Sequence, residues 1–384
     1  MTLSHIRLKG ITWQSRRALD PLTASLPDFY DANPGIDIEW TARTLAGFEF
    51  EPVEQLAKHY DLIILDHPFM GDAARKGYLL SLDEGMTGRD SDFIGPSLAT
   101  YRYGGHVYAV PVDAACQVAV LRPDLMQRIG EAPPRTWPQV LRLGEAARRH
   151  GLSLAIALSG VHSLMTFFTL MAGLGQPCAT SPDEPLCDRR AAGEALSLMR
   201  SLLALCPPQA LDWNSIKLHE MMVTVDLFAY CPAVYCYATY AEADQRRPLR
   251  FANLPGYATP SPKGSTIGGT GLAISAYCTA PEAARAYARF AASAVAQLDF
   301  ARNHGQPARI EVFADATIDR AFGNCFSATR ATLETSWIRP RYAGYLGFQE
   351  RSAQLIESHL RGDLGEPALL AKLHDAFADS GASG

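Results

Sequence analysis

The segment Asp61-Leu62-Ile63-Ile64-Leu65 constrains the fold most. It is an unbroken apolar run, which marks a strand buried on both faces in the middle of a parallel sheet. The preceding chain keeps the matching rhythm. Ile6–Trp13 alternates like a strand, and Ala18–Asp31 has the apolar spacing of an amphipathic helix that ends at Ala32-Asn33-Pro34-Gly35. Ile36–Trp40 alternates as a second strand, and Pro52–Tyr60 reads as a helix. Strands alternating with helices imply an α/β fold, a parallel sheet with helices on both faces. In such sheets ligands lie beyond the carboxyl ends of the strands. The residues there are Trp13, Gln14 and Arg16, then Arg43, then Asp66 and His67.

The pattern then changes. Tyr101–Tyr108 reads as a hairpin with a Gly104-Gly105 turn, leading into Ala109–Asp113. Thr136 and Pro138 predict a helix start. A second series follows: a strand at Leu152–Leu158, a buried helix at Leu164–Leu174, a helix at Ala191–Leu205 and a strand-like segment within Ala229–Tyr240. Pro255–Gly271 reads as a loop before a short strand at Leu272–Ser275, and the tail from Glu282 is mostly helical.

Composition limits the function. Of 384 residues, 35 are Lys or Arg and 40 are Asp or Glu, a net charge of −5. That argues against a nucleic-acid surface, which needs a basic excess. The uncharged stretch from Leu152 to Pro182 carries Ser, Thr, His and Gly, so no membrane insertion is expected. Met1–Ile11 lacks the apolar stretch of an export signal, because His5, Arg7 and Lys9 interrupt it. A cytoplasmic location is expected for the chain as written, and a periplasmic one if a leader has been removed. No pair among the eight cysteines has CxxC spacing, so no metal or redox motif is expected. Cys178 and Cys187 flank a polar loop and can pair if the chain is exported. The other six sit in apolar runs and read as buried thiols. There is no HExxH, no GxSxG and no nucleotide fingerprint, so no cofactor is expected.

Five segments, in order, resemble one family. They are Phe29–Ile38, Tyr60–Asp66 with Ala73–Asp83, Gly104–Pro111, Pro134–Leu141, and Gly268–Ser275 with Pro281–Ala284 and Ala291–Gln297. On these the chain resembles the bacterial extracellular solute-binding proteins of family 1, the maltose-binding-protein type that serves ABC transporters. Tyr230–Tyr235, Asn303–Pro307 and Arg339–Tyr342 resemble a subgroup without an evident leader. The resemblance implies a type II periplasmic-binding-protein fold. Two α/β lobes, each a mainly parallel sheet flanked by helices, would enclose a ligand cleft and close about a hinge. The lobes are expected at 1–111 with 264–312, and at 112–263 with 313–384.

Within that fold, several residues are candidates for the ligand. Trp13 can stack on a sugar ring, with Gln14 beside it. Asp66 can accept from ligand hydroxyls, His67 can donate or titrate, and Asp113 should sit at the first crossover. Ser159, His162 and Ser163 can meet an anion near a helix N-terminus at Ser163. Tyr235 and Tyr237, spaced to share one face of a strand, offer rings and hydroxyls, and Trp213 is a weaker aromatic candidate. Gly268, Gly269 and Thr270 let the backbone approach a ligand. Arg43, Arg309, Arg339 and Arg341 can clamp a carboxylate or phosphate.

Two functional classes follow. The first is a monomeric binding protein for a small polar solute, a carbohydrate or a carboxylated metabolite, partnered by an ABC permease if exported. The second is a cofactor-independent isomerase or lyase on the same scaffold. Asp66, His67, Asp113 and Cys116 would then supply acid–base or nucleophilic groups.

Overall fold

The computed structural model describes residues 5–83, 88–257 and 264–382. The chain divides into two compact units. Unit 1 is Met1–Ala114 with Gly268–Ile318, and unit 2 is Ala115–Ile267 with Asp319–Gly384.

Unit 1 is built on the strands β1 (Ile6–Trp13), β2 (Ile36–Arg43) and β3 (Leu62–Leu65). β1 pairs in parallel with both of the others. The apolar run is the buried strand that its composition demands, since Leu62 through Leu65 are all at most 1% exposed. The helix expected at Ala18–Asp31 is two helices, Arg16–Ala24 and Leu26–Ala32. The break falls at buried Ser25, whose hydroxyl donates back to the Leu22 carbonyl (3.3 Å) ahead of Pro27. The hairpin is β4 (Arg102–Tyr103) against β5 (His106–Val107). Gly104 and Gly105 both take positive φ, as a two-residue hairpin turn requires.

β6 (Ala109–Leu121) is buried throughout and runs from unit 1 into unit 2. In unit 2, β7 is Ser153–Leu154, β8 is Phe228–Tyr235 and β9 is Arg250–Ala252. β6 pairs antiparallel with β8 and β9, and β7 pairs in parallel with β8. The strand expected over Leu152–Leu158 shrinks to two residues. Residues 155–158 leave the ladder, though Ala155 N still donates to the Tyr230 carbonyl (2.9 Å). The buried helix that follows is Val161–Gly173. Thr136 caps the helix Trp137–Arg149, and the Gln139 Oε1 accepts from the Thr136 amide (3.1 Å) in a capping box.

The last strand, β10 (Ile267–Ile274), returns to unit 1 and pairs antiparallel with β3. Gly268–Gly271 was expected in a loop but lies in this strand, whereas residues 258–263 of that loop fall outside the described residues. Gly269 has φ +103°, and a Cβ there would overlap the Asp113 carbonyl oxygen. Gly269→Ala is therefore expected to cost about 1–3 kcal/mol of stability, read by urea denaturation. A variant within experimental error of the parent would remove this role.

The tail carries seven helices from Pro281 to Ala382. No helix among the described residues is long and apolar enough to cross a membrane.

Candidate functional site

In unit 1 the carboxyl ends of β1, β2 and β3 carry the expected residues. Trp13 ends β1 opposite Arg43 of β2, and its ring lies 4.9 Å from that of Phe48. With Arg17, Ile64, Asp113, Thr270 and Phe300 it lines a small cavity. Gln14 is exposed, and its amide donates to the Arg43 carbonyl (2.7 Å).

Arg43 was expected to clamp a ligand anion. Its guanidinium instead donates to Glu51 (3.2 Å) and to the carbonyls of Gly47 and Ile64, so it braces the turn after β2. Burial lowers its pKa against the pull of Glu51. Arg309 behaves likewise. It makes a two-pronged bond to Glu311 (2.6 and 3.0 Å), and its guanidinium lies over Phe93.

Asp66 caps the short turn His67–Phe69, accepting from the His67 amide (2.8 Å). Its Oδ1 also lies 2.9 Å from the His67 Nδ1. The His67 ring is fully buried and stands edge-on to Tyr101. Asp113 is held by Arg17 through two bonds, Nε to Oδ2 at 2.6 Å and Nη2 to Oδ1 at 2.5 Å. The two side chains are 5% and 6% exposed. Burial pushes the Asp113 carboxyl up, and Arg17 pulls it down. Thr270 is buried close by in β10, and Gly269 packs against the Asp113 backbone, with Gly268 preceding it in the same strand.

Unit 2 gathers a second group. His162 stands on the first turn of Val161–Gly173, with Nδ1 3.3 Å from the Ser215 hydroxyl. The Tyr235 ring meets it at a steep angle with centroids 6.3 Å apart. Burial first, and the positive charge of Arg339 second, lower the His162 pKa to about 4. Arg339 is buried and donates to the Gln349 Oε1 (3.2 Å), while Arg341 is partly exposed. The helix begins at Val161 rather than Ser163. The protein supplies its own anion there, because the Glu357 carboxylate accepts from the Gly160 amide. Ser163 is buried and donates to the Gly160 and Ala353 carbonyls, which leaves Ser159 at the turn.

Three expectations fare differently. Tyr237 lies past the end of β8 and packs against His219 (5.6 Å), so it does not share a strand face with Tyr235. Trp213 is core, edge-on to Phe228 at 5.2 Å. Cys116 is buried, and that burial pushes its thiol far up, opposite to what a nucleophile needs. Among the described residues no cluster of His, Cys, Asp and Glu could hold a metal.

Arg17 escaped notice in the sequence. Its signal was the inner face of the first helix, where it sits with Ala18, Pro21 and Leu22 among the buried residues. Gln297 escaped too. It is buried, donates to the Pro111 carbonyl (2.8 Å), and accepts from the Ala308 and Arg309 amides.

Two α/β units assembled from discontinuous segments define a class, the type II periplasmic-binding-protein fold. Residues 14–194 match the model of the bacterial extracellular solute-binding proteins, so the resemblance read from the sequence is borne out. Solved structures carry the likeness across the whole chain. A solute-binding protein of a Thermotoga lettingae ABC transporter, bound to α-D-tagatose, has a TM-score of 0.84 at 17% identity and covers 98% of this chain and 99% of its own. Maltose-bound MalE3 of T. maritima has a TM-score of 0.81 at 17% identity, covering 97% and 99%. An Agrobacterium vitis solute-binding protein with D-mannitol has a TM-score of 0.76 at 16% identity, covering 98% of each chain. No curated protein matches by sequence.

Proposed function

We propose that the chain is the solute-binding component of an ABC transporter and that its ligand is a small polar solute of the sugar or polyol kind. One observation carries this reading: the match in fold, end to end, to structures that hold a ketose, a disaccharide and a sugar alcohol. The residue chemistry agrees. Trp13 and Gln14 at the end of β1, and Tyr235 beside His162 in unit 2, offer the flat faces and hydrogen-bonding groups that such ligands use. The groups an enzyme would need are otherwise engaged: Asp66 in a cap, Asp113 with Arg17, and Cys116 in the core.

The test is a thermal-shift screen of maltose, tagatose, mannitol, ribitol and organic acids, followed by NMR of each hit in the presence of the protein. A ligand at a hundred times its Kd should add about 2.7 kcal/mol of stability. The ligand should emerge unchanged, and Tyr235→Ala should weaken binding about tenfold or more. A hit that is chemically converted would replace the binding reading with the enzymatic one. Shifts by organic acids alone would move the ligand out of the sugar class.

A further inference from the structure

We propose that Cys178 and Cys187 are a disulfide-forming pair that clips the loop between the helices Val161–Gly173 and Arg189–Ala204 of unit 2. The argument starts from the backbone. The Ala179 amide donates to the Leu186 carbonyl at 2.7 Å, which closes the loop between them. Ser181 shapes the tip, its hydroxyl donating to the Asp183 carboxylate (3.1 Å) and its carbonyl accepting from the Glu184 amide (3.2 Å). Cys178 and Cys187 are the next residues outward on the two arms that this bond holds together. The bond thus brings together the two arms of the loop on which these cysteines lie. A disulfide spans roughly 4.4–6.8 Å between Cα atoms, a separation within reach of two residues that flank one backbone hydrogen bond.

The side chains complete the case. Both are free thiols, and each perturbs the ionisation of the other. Cys178 is buried, whereas Cys187 is partly exposed, with its Sγ 3.9 Å from the His374 Nε2. The neighbouring Cys178 holds the Cys187 thiol below its ordinary pKa, and burial pushes Cys178 up. The pair is thus divided into an accessible nucleophile and a sheltered resolving thiol.

The oxidant is a small disulfide such as oxidised glutathione. The Cys187 thiolate attacks one of its sulfurs, that S–S bond breaks, and one thiolate leaves and takes a proton. Cys178 then gives its proton to solvent and attacks the Cys187 sulfur of the mixed disulfide, displacing the second thiolate. Two protein thiols become one disulfide, and the oxidant's disulfide becomes two thiols.

The experiment treats the full chain with oxidised glutathione and maps peptides without reduction. One linked Cys178–Cys187 peptide, lighter by two hydrogens, is expected. Its formation should raise Tm by a few degrees, reversed by dithiothreitol. Cys187→Ser should abolish both signals, and Cys206→Ser should leave both intact. A glutathione adduct that persists on Cys187, a link to any other cysteine, or full alkylation of both thiols after oxidation would overturn the proposal.

Discussion

Arg17→Ala is expected to lower the unfolding free energy by about 3–5 kcal/mol, and Asp113→Ala by a similar amount. The pair is nearly excluded from water, and its two short bonds satisfy both carboxylate oxygens. Removing either partner takes from the other's buried charge its two-bond counterion, and that penalty exceeds anything the intact pair gained. The double variant Arg17→Met with Asp113→Leu removes both charges and restores apolar volume, so it should cost less than either single change. Urea denaturation of the parent, Arg17→Met, Asp113→Leu and the double variant closes the cycle. Single variants that lose under about 1 kcal/mol, or a double variant that loses the sum, would show that the pair does not act as a unit. The location gives the pair a second consequence. Arg17 lies on the helix that follows Trp13 and Gln14, and Asp113 lies on β6, so the pair fixes the turn at the end of β1. Where either single variant still folds, it should also weaken solute binding.

The parts of the fold written in local pattern were legible. The run Leu62–Leu65 could only be a buried strand, and Thr136 with Gln139 announced a helix start. What failed depends on contacts distant in sequence. Apolar periodicity continues across Ser25, so the break between the first two helices was invisible. Gly268–Gly271 looked like a loop because glycine usually marks one. In β10 these glycines serve close packing, with Gly269 against the Asp113 carbonyl and Gly271 against the ring of Tyr101. Leu152–Leu158 has strand composition but lacks a ladder partner past Leu154.

The candidate site shows the same division. Residues at strand ends could be placed there from the sequence because position alone selects them. Whether an arginine is available depends on its neighbours: Glu311 takes Arg309 and Glu51 takes Arg43. Residue type alone does not reveal that. Arg17 was missed for the converse reason, since a buried arginine on an apolar helix face is intelligible only once Asp113 stands opposite.

Stability should fall as pH drops from about 6.5 to 4, and His162 should account for about 3 kcal/mol of the loss. Burial holds the imidazole neutral, and the Arg339 charge works in the same direction, so its folded pKa is about 4 against an ordinary value of 6.5. The sign follows from proton uptake. Above pH 6.5 neither state protonates this group, and its contribution to stability is fully present. Below that the unfolded chain binds a proton that the folded chain refuses, so the unfolded state gains about 1.4 kcal/mol for each pH unit. The loss is complete once pH passes the folded pKa. His162→Gln keeps a polar side chain near Ser215 and Tyr235 but cannot titrate, so its stability between pH 6.5 and 4 should decline less steeply by that amount. Urea denaturation at pH 7, 6, 5 and 4 measures both proteins. His374 is lowered in the same direction, mainly by burial, and is only partly covered by its surroundings, so His374→Gln should flatten the profile less. Parallel profiles for the parent and His162→Gln would mean that His162 is protonated in the folded protein. The Arg339 charge would then have to be screened from it, and the compact packing of this group in unit 2 would be wrong.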